Sequence, residues 1–408
     1  LMGLTSCDDD EGPGTEPPSK HPKADDIRDN GVILVGGING DRKLSADSVY
    51  YLDGYVFQES GTLTIEAGTV ILAFEEPSSV SEGNATSLII TRNAKIDAEG
   101  TPTDPIIFTS EEDGEPFGES LTLNETDSKL WAGLIVLGNA PAYSEGNTDA
   151  IQIEGIPDGD SRAQFGGNDP NGNSGTLKYI SIRFSGAEIG PGDEIQGLTI
   201  GGIGSATTIE YIDIFVSADD GVEIFGGTVD INHFCVAFAE DDAFDFDLGW
   251  EGYGQYLFSI AGGNGHDHGG EWDGGKPDNA PLYSTARIYN ATLLGAGSGS
   301  SRSSDAPAII MRDGGAYSVY NSIIAEFNGK GIEIEDLGES EDAYDKIIND
   351  VNSDDAKLAN NLWFVDNANG ISDMFALTGD PASRDNNGTT LETFFNDNDN
   401  VFVNPGIQ

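Results

Sequence analysis

Three acidic stretches carry the residues best suited to chemistry: SADDGVEIFGG (217–227), AEDDAFDFDLGW (239–250) and GHDHGGEWDGG (265–275). Carboxylates at this density suit a hard cation. Calcium takes six to eight oxygens from carboxylates and turn carbonyls in flexible geometry. The candidate metal ligands are Asp219, Asp220, Asp241, Asp242, Asp245, Asp247 and Asp267. The alternative is structural, since Asp side chains also bond backbone N–H groups in turns. His266 and His268 flank Asp267, and such a triplet can ligate a transition metal. Nothing in the sequence supplies the remaining ligands of a tetrahedral site. With Glu271 and Trp272, the two histidines read instead as an exposed ligand-binding platform, or as a plain glycine-rich loop.

The elements that position these groups follow from their spacing. Asp219, Asp241 and Asp267 align as one turn repeated at 22 and 26 residues, and Glu223, Asp245 and Glu271 align on the strands that follow. Strict alternation in FDFD turns Phe244 and Phe246 inward and Asp245 and Asp247 outward. GLTIGG (197–202) and KGIEIED (330–336) echo the frame, and LKYISIRF, IEYIDIFV and VDINHFCVAF form a second strand family. A turn repeated every 20–26 residues is a solenoid signature. The predicted fold is all-β, a right-handed parallel β-helix of roughly fourteen rungs. Stacked rungs lie about 4.8 Å apart. Two like charges at that distance repel by roughly 0.9 kcal/mol in water and about 3.5 at an effective dielectric of 20. Solvation, raised carboxylate pKa values or a bound cation would relieve such a ladder.

Residues 29–338 are assigned to the β-helix and 339–408 to an irregular C-terminal region and cap. A solenoid needs its open ends covered. Lys and Arg number 19 against 71 acidic residues, a formal charge of −52. A nucleic-acid partner is excluded, because phosphate binding needs a basic surface. Polyanionic glycans are repelled unless a cation intervenes. Cys235, in INHFCVAF, reads as a small core residue.

Leu4-Thr5-Ser6-Cys7 resembles the end of a lipoprotein signal peptide, and the Asp8–Glu11 run after it resembles the export signal of Bacteroidota surface lipoproteins. That resemblance implies a signal remnant at 1–6, an acylated Cys7 held by outer-membrane lipid, an acidic tether over 7–28 and an outer-membrane location facing the exterior. GTLTIEAGTVI (61–71) and DDGVEIFGG through DDAFDFDLGW are similar to β-helical surface proteins of the same group, with a pectate-lyase-like fold.

The preferred function is non-enzymatic: a surface-exposed binding or accessory protein that captures a glycan or serves an outer-membrane uptake complex. Two alternatives stay open, a polysaccharide lyase or glycoside hydrolase and a structural or adhesive component. Asp241-Asp242, Gly265-His266 and Arg287-Ile288 follow the motif order of β-helical polygalacturonases, but Tyr289 stands where a lysine is expected. A lyase would need a basic proton abstractor, for which Arg183, Arg287, Arg302 and Arg312 qualify by type. Trp131, Trp250, Trp272 and Tyr253 would suit sugar stacking where exposed. Paired carboxylates with an arginine in one groove would favour an enzyme. An exposed aromatic row would favour glycan binding.

Overall fold

The computed structural model describes residues 31–78, 85–118, 122–190, 193–300, 305–338, 342–349, 356–366, 368–379 and 389–406. Cys7, the signal remnant, the acidic tether and Arg302 lie outside the described residues. The short apolar runs become strands of one 27-stranded sheet that winds as a right-handed parallel β-helix. One ladder carries the acidic stretches. It stacks Val32–Ile38, Val49–Gln58, Ser87–Ile90, Gly133–Leu137, Leu198–Ile203, Val222–Gly227, Phe244–Asp247, Gly270–Asp273, Ile309–Arg312, Ile332–Asp336 and Phe375–Gly379. Among the described residues these eleven strands replace the roughly fourteen rungs expected, because insertions lengthen several rungs. The largest here lies between Leu137 and Leu198 and contains an antiparallel hairpin, Ile151–Gln152 against Gln164–Phe165.

Alternation sends every second side chain into the coil. Leu198, Ile200, Val222, Ile224, Phe244, Phe246, Trp272, Met311 and Ile334 are all buried on successive rungs. Phe246 stacks on Trp272 with ring centroids 5.8 Å apart and packs against Trp250 at 4.5 Å. Trp131, Trp250 and Trp272 are therefore core residues, not sugar platforms; Trp272 is 1% exposed. Their indole N–H groups donate to the carbonyls of Arg183, Val229 and Phe244 at 2.7, 2.9 and 3.2 Å. A ring that fills the coil and satisfies its one donor there has no reason to face water.

A second ladder stacks Gly175–Ser185, Thr208–Ser217, Ile231–Ala239 and Tyr253–Ile260. Each strand has a bend in the left-handed region at an aromatic ring: Tyr179, Tyr211, His233 and Tyr256, with φ between 51° and 58°. Their rings form a column with centroids 4.5, 4.4 and 4.7 Å apart. Asn290, Asn321 and Asn360 take the left-handed conformation further along. Asn adopts it more readily than other side chains, whereas the earlier corners carry the ring stack. Cys235 departs from the expected core position. It pairs with Asp213 and Phe258 on the outward register and is half-buried, because Phe234 and Val236 take the inward places.

The ladders continue past residue 338 into the segment expected to be irregular. Leu362–Val365 and Phe375–Gly379 extend them, with Trp363 turned fully inward. The helix Thr389–Asp397 then lays Phe395 against Trp363 and Phe375 at 5.4 and 5.6 Å. No helix among the described residues is long and apolar enough to cross a membrane.

Candidate functional site

The outward positions of the first ladder line up as the repeat implies. Thr199, Glu223, Asp245, Glu271 and Ile310 occupy one register across successive rungs. Two residues along, Phe225 pairs with Asp247 and Asp273 with Arg312. This face is partly covered: Asp245, Asp247, Glu271 and Arg312 are half-buried. The hairpin insertion folds over it and packs Ile151, Ile153, Ile156 and Phe165 against Ile135, Leu137, Phe225 and Leu248. Tyr55 donates its hydroxyl to the Gly155 carbonyl at 3.0 Å, and Tyr143 N–H reaches the Leu248 carbonyl at 3.1 Å, which hold the roof down.

Between roof and ladder lies a cavity of about 560 Å³. Its apolar lining is Ile151, Ile153, Ile156 and Phe165 from the hairpin segment with Phe225 and Leu248 from the ladder side. Seven carboxylates also line it, Glu154 and Asp158 from the hairpin segment and Glu223, Asp245, Asp247, Glu271 and Asp273 from the ladder, against two cations, Lys276 and Arg312. Arg312 Nε lies 2.8 and 3.1 Å from the two oxygens of Asp273, and its guanidinium also pairs with Glu271. Burial dominates the acidities here. It lifts Glu271 to about 8, helped by the charges of Asp242 and Asp273. Burial and Asp273 lift Asp247 to about 7. Burial lifts Asp273 to about 6, against the opposing bond from Arg312. Glu223 and Asp245 are pushed well above the carboxylate range by burial, then by Asp220 and by Glu223 respectively. Glu223 Oε2 and Asp245 Oδ1 are buried with no hydrogen-bond partner.

The Asp-Asp turns beside the cavity do a different job. Asp220 Oδ1 accepts the backbone N–H of Asp242 at 3.0 Å, and Asp242 Oδ1 accepts that of His268 at 2.6 Å. The second Asp of each pair thus caps the turn of the next rung, so the turn-bonding alternative accounts for Asp220 and Asp242. The first Asp of each pair keeps the electrostatic problem. Burial and Asp241 raise Asp219 to about 7, and burial and Asp242 raise Asp241 to about 6.

Neither histidine lines the cavity, and the exposed platform does not form. His266 is 9% exposed and packs edge-on against Phe327 at 5.9 Å, with Nδ1 3.0 Å from the Asp267 carbonyl oxygen. Burial lowers its pKa. His268 places Nδ1 2.9 Å from Asp242 Oδ1. Burial pulls its pKa down, but the bond to Asp242 and the charges of Asp242, Asp267 and Glu271 outweigh it and raise it to about 9. Of the four residues read as a platform, only Glu271 faces the cavity.

Four groups bring ligand atoms within 4.8 Å of one another: Asp219–Asp220–Asp241, Asp220–Glu223–Asp245, Asp242–His268–Glu271 and Asp278–Asp313–Glu335. The first two are all-oxygen sets of the kind calcium takes. Asp247 and Asp267 belong to none of the groups among the described residues. Arg183 pairs with Glu115 at 2.6 Å and Arg287 reaches the Tyr253 hydroxyl at 3.1 Å, both on other faces. Of the three described arginines named by type, only Arg312 lines the cavity. Sequence reasoning missed Asp273, Lys276 and the roof. The alternating apolar residues of IQIEGI (151–156) were the available signal. An exposed apolar row also exists on the second ladder: Tyr253, Tyr256, Phe258 and Ile260, with Tyr253 45% exposed.

No curated protein matches the chain. A family profile described as "Pectate-lyase like beta helix domain" matches residues 36–397, most of the chain. The chain belongs to the pectate-lyase-like β-helix family.

Proposed function

We propose that this chain is a surface carbohydrate-binding β-helix protein whose ligand site is the roofed acidic cavity. One observation carries the reading: apolar side chains and a row of acceptor oxygens together line one cavity of about 560 Å³. Ligand pockets of roughly 300–1,000 Å³ combine such apolar surface with a few polar groups. A sugar ring has an apolar C–H face and a rim of hydroxyl donors, which matches both. Calorimetric titration with a panel of oligosaccharides tests it, and absence of binding across the panel would remove the reading.

The LTSC–DDDE run supports acylation at Cys7 and display on the outer membrane, with an outer-membrane uptake complex as partner. Calcium is assigned to Asp219, Asp220 and Asp241, whose oxygens converge on the turn side of the ladder. A second reading, glycoside hydrolysis, is favoured by Glu271 and Asp273. At neutral pH Glu271, raised to about 8, keeps its proton, while Asp273, at about 6, is ionised against Arg312. Residues two apart on a strand lie about 6.6 Å apart, near the roughly 6.5–9.5 Å of inverting acid–base pairs. Loss of sugar release in Glu271→Gln, with retained binding, tests this second reading.

A further inference from the structure

Resting on the carbohydrate reading, we propose that the cavity selects an amino sugar, a saccharide bearing a protonated primary amine, over neutral and uronic sugars.

The ladder wall offers acceptors in excess of donors. Ionised carboxylates accept hydrogen bonds and donate none. Glu223 is only 5% exposed, yet its Oε2 has no partner, and Asp245 Oδ1 beside it has none. Oxygens of Asp220, Glu223 and Asp245 lie within 4.8 Å of one another. An ammonium group presents three donors from one atom and no acceptor, so it can donate at once to both unpartnered oxygens of the cavity, Glu223 Oε2 and Asp245 Oδ1.

The cations of the lining do not fit an anionic ligand. Arg312 is already held by Asp273 and Glu271. A uronate entering the cavity would meet seven carboxylates against two cations. Ile153, Phe165 and Phe225 of the same lining offer apolar surface for a ring face.

The experiment is titration calorimetry in EDTA with a β-1,4-linked glucosamine trisaccharide, its fully N-acetylated counterpart and a trigalacturonate. The free-amine sugar is expected to bind at least about tenfold tighter than the N-acetylated one, the scale of one hydrogen bond to a charged group. Glu223→Gln and Asp245→Asn should each weaken that binding by about tenfold or more, with melting temperatures at or above wild type. Equal or tighter binding of the N-acetylated sugar overturns the amine selection and leaves the carbohydrate reading standing. Binding by none of the three overturns both. Amine binding that persists in both variants is ion exchange on the acidic surface and overturns the proposal. Uronate binding that appears only on adding Ca²⁺ overturns it in favour of a metal-bridged ligand.

Discussion

Asp242 Oδ1 lies 2.6 Å from the backbone nitrogen of His268 and 2.9 Å from its ring Nδ1, so one carboxylate oxygen holds both ends of the residue one rung below. Both side chains are almost wholly buried. The pair joins the turn ladder to the cavity wall, because His268 Nδ1 also lies 3.9 Å from Glu271 Oε2.

Removing that oxygen leaves a buried imidazolium and a buried N–H unmet. Asp242→Ala is expected to cost about 3–5 kcal/mol, and Asp242→Asn less, since the amide still accepts the N–H. Thermal melting of both variants checks the order. Equal melting temperatures for Asp242→Ala and wild type would show that the ladder stands without this cap.

Trp272→Ala opens the coil beneath the cavity and is expected to cost about 3–5 kcal/mol. Tyr253→Ala, on the exposed row, should move stability by no more than about 0.5 kcal/mol. The contrast separates core from surface aromatics, and chemical denaturation reads it. Comparable losses in the two variants would contradict the inward placement of Trp272.

The pH dependence follows from groups whose folded pKa values are raised. Asp241 and Asp273 stand at about 6, Asp219 and Asp247 at about 7, and Glu271 at about 8. Each binds a proton in the folded chain that the unfolded chain has released. Their stabilisation is present below about pH 4 and is lost as pH rises through about 6–8. His268, raised to about 9, acts in the same direction at higher pH. Asp160, held low by Arg162, acts oppositely, and its contribution is lost as pH falls through its folded pKa. In EDTA the melting temperature is expected to fall by on the order of 5 °C between about pH 5 and about pH 8. Glu223→Gln should flatten that slope. A melting temperature that rises over the same interval would contradict the buried ladder.

Calcium at Asp219, Asp220 and Asp241 would offset that loss. Millimolar Ca²⁺ at about pH 8 is expected to raise the melting temperature by a few degrees over EDTA, and Asp241→Asn to abolish the rise. No shift on adding Ca²⁺ would rule against calcium at this turn.

The repeat was legible because rung register is written in residue type. The alignment of Glu223, Asp245 and Glu271 by sequence is the alignment of their strands in space. What the outward face meets was not legible. Asp245 and Asp247 point out of the coil as alternation requires, yet they face a hairpin inserted some eighty residues earlier in the chain. Trp272 and His268 misled for a related reason. A glycine-rich surrounding suggests an exposed loop, but in a solenoid glycine also marks close packing between rungs. A Cβ on Gly274 would stand 2.2 Å from the Asp313 carbonyl oxygen of the next rung.

The central claim is that the roofed cavity, and not the exposed row of Tyr253, Tyr256 and Phe258, holds the saccharide. The most direct measurement is calorimetric titration of one saccharide bound by wild type into the Glu223→Gln/Asp245→Asn double variant and into Tyr253→Ala/Tyr256→Ala. The cavity variant should lose at least about tenfold in affinity while melting no lower than wild type, and the tyrosine variant should bind as before. A folded cavity variant that binds unchanged, with binding lost in the tyrosine variant, would contradict the account.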